Sequence, residues 1–276
     1  MRERFFRMSR PTAIAIAAHP DDIELKMAGT LLLLKSAGWD IHYFNLSSGN
    51  GGSLEQDGEE TEAIRSREAR EAAAILGATW HPPIARDLEI IYHPDLLRKV
   101  AAIIRRVRAS IVLTHPFEDY MEDHTITARL ATTAAFARGI PNFHTDPPEP
   151  AYPDNITVYH CIPHGGRTPL RRRVAPGAWV DTTTVHEVAY QALAAHRSQA
   201  GWLNASQGTN SYLATMNADA EEAGRASGRF RLAEGWTRHL HLGFSTVDAD
   251  PLAEALGDRY LVNASFEDSL ENPAAS

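Results

Sequence analysis

Apolar positions along this chain follow two rhythms. Short continuous apolar runs read as buried strands. Between them, apolar residues recur every three or four positions, the period of a helix. The first run, 12–19, leads into "AHPDD", 18–22. A helix is predicted over about 22–37, with Leu31, Leu32 and Leu34 near its end and Gly38 as its stop. "IHYFNLS", 41–47, alternates and carries aromatics, so it reads as a strand. A polar, glycine-rich loop, 48–60, then precedes a charged helix over 60–76 that stops at Gly77. A short strand is expected around 87–91. Residues 94–108 form an amphipathic helix in which Leu96, Leu97, Val100, Ile103, Ile104 and Val107 share one face and Pro94 suits the first turn. "SIVLT", 110–114, is the next buried strand, and the loop "HPFEDYME" leads into a helix at about 123–138.

Beyond Gly139 the pattern loosens. A proline-rich stretch, 141–155, precedes a strand at 156–160 and helices at 183–197 and about 210–223. The last forty or so residues have no clear period, and the terminal "ENPAAS" reads as frayed. The alternation of strand and helix predicts an α/β fold, a Rossmann-like three-layer sandwich with a mostly parallel sheet and an elaborated C-terminal part. The expected organisation is a leader at 1–11, a core at 12–200, and a C-terminal extension at 201–276 packed on the same domain.

Composition narrows the function. Hydrophobic residues make up 43% of 276, enough for a substantial core. A net charge of −8 without a concentrated basic stripe argues against nucleic acid or an anionic membrane as main partner. The single cysteine, Cys161, excludes an internal disulfide, so a cytoplasmic location is expected. The apolar runs are too short to span a bilayer, and the N-terminal "MRERFFRMSRP" lacks the apolar centre of a signal peptide.

The chemistry gathers after two strands. Ligands of open parallel sheets bind beyond the carboxyl ends of the strands. There, 12–19 delivers His19, Asp21 and Asp22, and 110–114 delivers His115, Asp119, Glu122, Asp123 and His124. Two imidazoles and a carboxylate are a common catalytic zinc set that leaves a position for water. His19 and Asp22 are close enough to chelate together, and His124, at a predicted helix start, is the best third ligand. Zinc lowers the pKa of its water towards ~7, and Asp21 is then placed to take the proton as general base. Either aspartate also suits a plain helix cap. "SSGNGGS", 47–53, allows close backbone approach to a ligand, and Asn50 offers a hydrogen bond to a sugar hydroxyl.

"AHPDD" with Ile23-Glu24 and the "GTL" at 29–31 resembles the zinc-dependent deacetylases of the PIG-L/LmbE type. So do "IRSREAREAAAILG" at 64–77, "THPFEDYMEDH" at 114–124 and "AHRSQ" at 195–199. The resemblance covers about residues 12–200. It implies removal of acetyl groups from N-acetylglucosamine-type sugars or conjugates, one zinc per chain and a tendency to self-associate. It also implies zinc ligands His19, Asp22 and His124, general base Asp21, and substrate binding by Arg65. One departure stands out. The family's second motif usually reads His-Pro-Asp-His, whereas here it reads Met121-Glu122-Asp123-His124. Met121 cannot stabilise an oxyanion or protonate an amine, so either Tyr120, His160 or His164 compensates or the zinc alone polarises the carbonyl as a Lewis acid. His160 ends a predicted strand, which favours it as a pocket residue. Asp123 is expected to orient His124 from behind or to cap its helix.

Two rivals remain. A nucleotide-binding module is disfavoured, because its first strand-to-helix turn needs glycines and not two carboxylates that repel phosphate. A catalytically impaired relative that only binds a sugar or acts as a scaffold is compatible with Met121.

Overall fold

The computed structural model describes residues 10–199 and 212–271. The apolar runs become β1 (Thr12–Ala17), β2 (Asp40–Asn45), β3 (Thr79–His81), β4 (Ile111–Thr114) and β5 (Thr157–Cys161). Further on come β6 (Ala178–Asp181), β7 (Ala233–Arg238) and β8 (Tyr260–Val262). They form one sheet in the order β3-β2-β1-β4-β5-β7-β6-β8. The first five strands run parallel, and the last three join antiparallel. Segment 201–276 therefore contributes strands to the sheet itself, with β7 inserted between β5 and β6.

Helices cover both faces. They are α1 (Asp22–Lys26), α2 (Ala28–Ser36), α3 (Gly58–Leu76), α4 (Pro94–Val107), α5 (Glu122–Ala137) and α6 (His186–Ala194), followed by α7 (Tyr212–Ser227), α8 (Pro251–Leu256) and α9 (Ala264–Glu271). The pleat of β1 explains the layering. Ala13, Ala15 and Ala17 face a core shared with α1, α2, α3 and α6, while Ile14 and Ile16 face the core under α4 and α5. The result is a three-layer α/β sandwich.

The amphipathic helix α4 carries Pro94 in its first turn, and the His93 ring accepts from Asp95 N–H. Asp57 caps α3 by accepting from Glu59 and Glu60 N–H, and Gly77 ends it at φ +66°. Three expectations need correction. The helix at 22–37 breaks at Met27, because the Glu234 carboxylate from β7 accepts from Gly29 and Thr30 N–H and starts α2 afresh. No strand forms at 87–91. Leu88 turns to φ +62° there, and β3 lies earlier. The featureless final stretch holds two strands and two short helices. Residues 1–9 of the expected leader, 200–211 and the terminus beyond Glu271 lie outside the described residues. No described helix is long and apolar enough to cross a membrane.

The topology positions the chemistry. From β1 the chain moves outward through β2 and β3, then returns to β4 on the other side of β1. Such a reversal opens a crevice at the strand ends. Ile16 pairs with Thr114, so the segments after β1 and β4 emerge side by side.

Candidate metal centre

The turn after β1 is strained. Asp21 sits at φ +105°, left-handed backbone that a non-glycine residue adopts only when its surroundings hold it there. Arg65 supplies the hold. Its guanidinium donates to Pro20 O at 2.5 Å, to the Asp21 carboxylate at 3.2 Å and to Gly49 O at 3.1 Å. Arg65 is 4% exposed, on the inward face of an otherwise charged helix.

Asp22 lies at the centre of the crevice. His19 Nδ1 approaches its Oδ2 at 3.4 Å, and His124 Nε2 approaches its Oδ1 at 3.4 Å. One ligand atom from each of the three residues falls within 4.8 Å of the others. The far sides of both rings are fixed by carboxylates. His19 Nε2 meets Asp123 Oδ2 at 3.0 Å, and His124 Nδ1 meets Asp119 Oδ1 at 3.0 Å. An N–H on each far nitrogen leaves the near nitrogen's lone pair facing Asp22. Carboxylates behind ligating imidazoles are the usual support of a metal site.

A second grouping, His115, Asp119 and His124, is also close enough to chelate. It fits less well. His115 Nε2 already accepts the Ala18 N–H at 3.0 Å, so in the neutral ring the proton resides on Nδ1 and no lone pair is free. Burial holds His115 below its ordinary pKa, consistent with a neutral ring. It stacks on His124 at 4.1 Å between centroids and acts as packing.

The electrostatics suit a dication. Burial depresses His19, yet the bonds to Asp123 and Asp22 outweigh it and lift the ring to about 9. Burial likewise depresses His124, but Asp22 and Asp119 lift it to about 10. Burial pushes Asp22 up, and the His124 charge, with the His115 and His124 rings bonded to its carboxylate, more than reverses this, leaving it well below the usual carboxylate range. A field that favours positive charge on both rings favours a metal ion in their place. Asp21 behaves differently. Burial raises it to about 6, with Arg65 pulling the other way. It is the least committed carboxyl beside the cluster.

A cavity of about 240 Å³ opens over these groups. Gly51, Gly52, Leu88, Tyr120, Met121 and His164 contribute walls, and Arg65 lines it beside Asp21. Two expected residues are not on its walls. Asn50 turns its amide oxygen to Asp87 N–H at 2.8 Å and ties the loop together. His160 is held between His115 O at 2.8 Å and His239 Nδ1 at 3.1 Å, behind the sheet ends. Asp123 has a different role from the one expected: it holds His19 and accepts Leu88 N–H at 2.8 Å. Successive helical residues diverge by about 100°, which is why Asp123 and His124 cannot share a partner. The residue behind His124 is Asp119, whose spacing from it gave no sign of the bond. At Gly49, φ is +77° and a Cβ would lie 2.7 Å from the Arg65 side chain, so the close approach there is to arginine, while Gly51 and Gly52 lie on the cavity wall.

The remaining motifs brace Arg65. Glu68, one helical turn on, accepts from Ser198 N–H at 2.9 Å and its hydroxyl at 2.6 Å. Gln199 donates to Gly52 O at 3.2 Å. His196 lies 3.3 Å from Glu24, both fully buried. "AHRSQ" is thus the clasp that fixes α3 and the glycine loop around the turn.

Comparison with known proteins places this arrangement. Residues 14–135 match the PIG-L family, described as GlcNAc-PI de-N-acetylase. A diacetylchitobiose deacetylase of Thermococcus kodakarensis is 30% identical over 195 residues, 67% of this chain and 69% of the relative. The chain belongs to the PIG-L family. That family has another branch in view: a 4-oxalmesaconate hydratase of Pseudomonas putida is 29% identical over 199 residues, 69% of this chain and 75% of the relative. Among solved PIG-L-like folds, the N,N'-diacetylchitobiose deacetylase of Pyrococcus horikoshii superposes with a TM-score of 0.69 at 23% identity, covering 88% of this chain and 89% of that one.

Proposed function

We propose that this PIG-L family member is a zinc-dependent N-deacetylase acting on an N-acetylglucosamine-type sugar or conjugate. The observation that carries the reading is the grouping of His19, Asp22 and His124, each imidazole backed by its own carboxylate, with Asp21 left over beside them. These three residues would hold the ion. When bound, a divalent ion there acts as a Lewis acid that acidifies water and polarises an amide carbonyl.

The chain's own residues do the rest. Asp21 takes a proton from the attacking water and passes it to the departing amine nitrogen. Arg65 holds Asp21 in its strained turn and favours the charged form that accepts the proton. In this reading Arg65 is a positioning residue for Asp21, with both terminal nitrogens of its guanidinium donating to protein oxygens, and not the substrate anchor that the family resemblance implies. Tyr120 and His164 stand on the wall near Met121, where the family's missing histidine would act, and are the groups placed to meet the substrate there.

A second reading is addition of water to an unsaturated acid, as the name of the P. putida relative describes. Met121 favours it, since it stands where the family resemblance implies a histidine that stabilises the oxyanion or protonates the amine. The pocket's cations count against it. Lys26 pairs with Asp219 and Arg65 with Asp21, which leaves neither for an anionic substrate. Zinc-loaded protein incubated with N-acetylglucosamine and diacetylchitobiose is expected to release acetate and expose free amine, and Asp21→Asn is expected to keep the metal and lose at least 100-fold in turnover. Metal without acetate release across a broad panel would leave a sugar-binding role. Loss of conjugated absorbance with an unsaturated dicarboxylate would establish the hydratase.

A further inference from the structure

Helix α1 spans five residues and carries three charged side chains, none of them exposed. Asp22 faces the metal centre, Glu24 meets His196 at 3.3 Å, and Lys26 pairs with Asp219 of α7. Asp22 and Lys26 are four residues apart, so they stand side by side on one helix face, with Cβ atoms about 5–6 Å apart. Lys26 accordingly lines the metal cavity together with His19 and Asp22. Its charge is felt by another wall residue: burial, and after it the Lys26 charge, holds the His164 ring below its ordinary value.

Asp219 stands behind this lysine. It follows Thr215, which lines the metal cavity, by one turn of α7, and itself lines an adjoining cavity of about 120 Å³ that shares Lys26 as a wall. The two side chains are 14% and 26% exposed, so the pair is partly shielded from solvent. Among the described residues Lys26 has no other ion-pair partner. Glu234, on the wall of the adjoining cavity, has its carboxylate filled by Gly29 N–H, Thr30 N–H and the Thr30 hydroxyl, between 2.6 and 2.9 Å. A lysine one helical turn from a metal ligand would by itself recruit an anion. Here that charge is already taken, and an incoming anion would lose its hydration, gain no counter-ion and face Asp219.

We propose that Asp219 sets the charge class of the substrate: by occupying Lys26 it restricts the metal pocket to uncharged sugars and uncharged conjugates, and turns away those that carry a phosphate or carboxylate near the scissile amide. The inference rests on the deacetylase reading for the sugar, and on the ion pair for the selectivity. Asp219 lies outside the 14–135 stretch that matches the family, on a helix that reaches the site from the far end of the chain. It is a positioning residue, acting through Lys26.

The test is calorimetric binding of N-acetylglucosamine, its 1-phosphate and its 6-phosphate to zinc-loaded protein, with Asp21→Asn present throughout to stop turnover. Zinc is common to every protein compared, so the readout is the change in the ratio of phosphate to neutral-sugar affinity. Asp219→Asn keeps the shape of the side chain and removes its charge. It is expected to raise that ratio by about ten-fold or more for at least one phosphate, the worth of one charge-assisted hydrogen bond from the freed lysine. Asp219→Ala is expected to act in the same direction. Adding Lys26→Met is expected to abolish the rise, and raising the salt from about 50 mM to about 500 mM is expected to shrink it. Circular dichroism checks the fold of each variant. A merely structural role for Asp219 would weaken all three probes alike; a ratio unmoved for both phosphates overturns the proposal, as does a rise that survives Lys26→Met. Acetate release by the parent protein checks the deacetylase reading separately: its absence beside the expected ratios removes that reading and leaves the selectivity standing.

Discussion

Asp119 gives the sharpest test of how the imidazoles are held. Its carboxylate lies 3.0 Å from His124 Nδ1 with a side chain only 1% exposed, so the bond is shielded from water. It fixes the ring so that Nε2 faces Asp22, and it makes that nitrogen a better donor. Removing such a partner generally costs 10–100-fold in metal affinity, about 1.4–2.8 kcal/mol. Asp119→Asn keeps an acceptor oxygen but loses the charge, and is expected near ten-fold. Asp119→Ala frees the ring to rotate and is expected towards 100-fold. Asp87, on the same pocket wall but bonded to Ser47 and Gly51 N–H instead of an imidazole, provides the control. Asp87→Asn is expected to leave affinity within about two-fold of the parent. The assay is zinc competition against a chromogenic chelator near neutral pH, with circular dichroism to confirm folding. Zinc binding by Asp119→Ala within two-fold of the parent would refute this arrangement of the site.

The other predictions concern protons and strain. Asp21 must be ionised to act as base, and burial lifts it to about 6 against the pull of Arg65, so kcat/KM is expected to fall ten-fold per unit as pH drops below its pKa. Bound zinc moves that limb below 6, and Arg65→Gln moves it upward; a pH–rate profile flat from 4 to 8 would contradict this. In metal-free protein His19 and His124 stand at about 9 and 10, so zinc uptake near pH 7.5 is expected to release about two protons, measured by calorimetry in buffers of different ionisation enthalpy. Both values lie above the ordinary imidazole value of 6.5, so their contribution to metal-free stability is complete below 6.5 and is lost as pH rises through 9 to 10. Urea midpoints across that window test it, and a midpoint that rises there is the opposing result. Gly49→Ala forces a side chain onto φ +77° and against Arg65, with an expected loss of about 1–3 kcal/mol in stability and a drop in kcat as Asp21 loses its anchor; unchanged activity would sever Arg65 from Asp21.

Periodicity carried most of the α/β core, because strands buried on both faces leave continuous apolar runs and α4 shows its stripe openly. It was silent on β7, whose "AEGWTR" mixes charge and glycine because Glu234 turns inward to start α2. No strand forms at 87–91 because Leu88 and Ile91 are exposed at a turn, at 80% and 63%, and only Ile90 packs into the core. Around the site, sequence separated the two motif-bearing segments and named the three residues that the fold brings together. It could not tell which carboxylate stands behind which ring, since that depends on the 100° step between neighbours on α5. Nor could it show that Arg65 faces inward from a helix of mostly charged residues, or that Asn50 and His160 turn away from the cavity.

The central claim is that one ion is held by His19, Asp22 and His124. X-ray diffraction at the zinc absorption edge on zinc-loaded crystals tests it directly. The expected result is one anomalous peak per chain, within bonding distance of His19 Nδ1, an Asp22 oxygen and His124 Nε2, with Asp21 free of it. A peak seated among His115, Asp119 and His124 instead, or no peak with His124 turned from Asp22, would contradict the account.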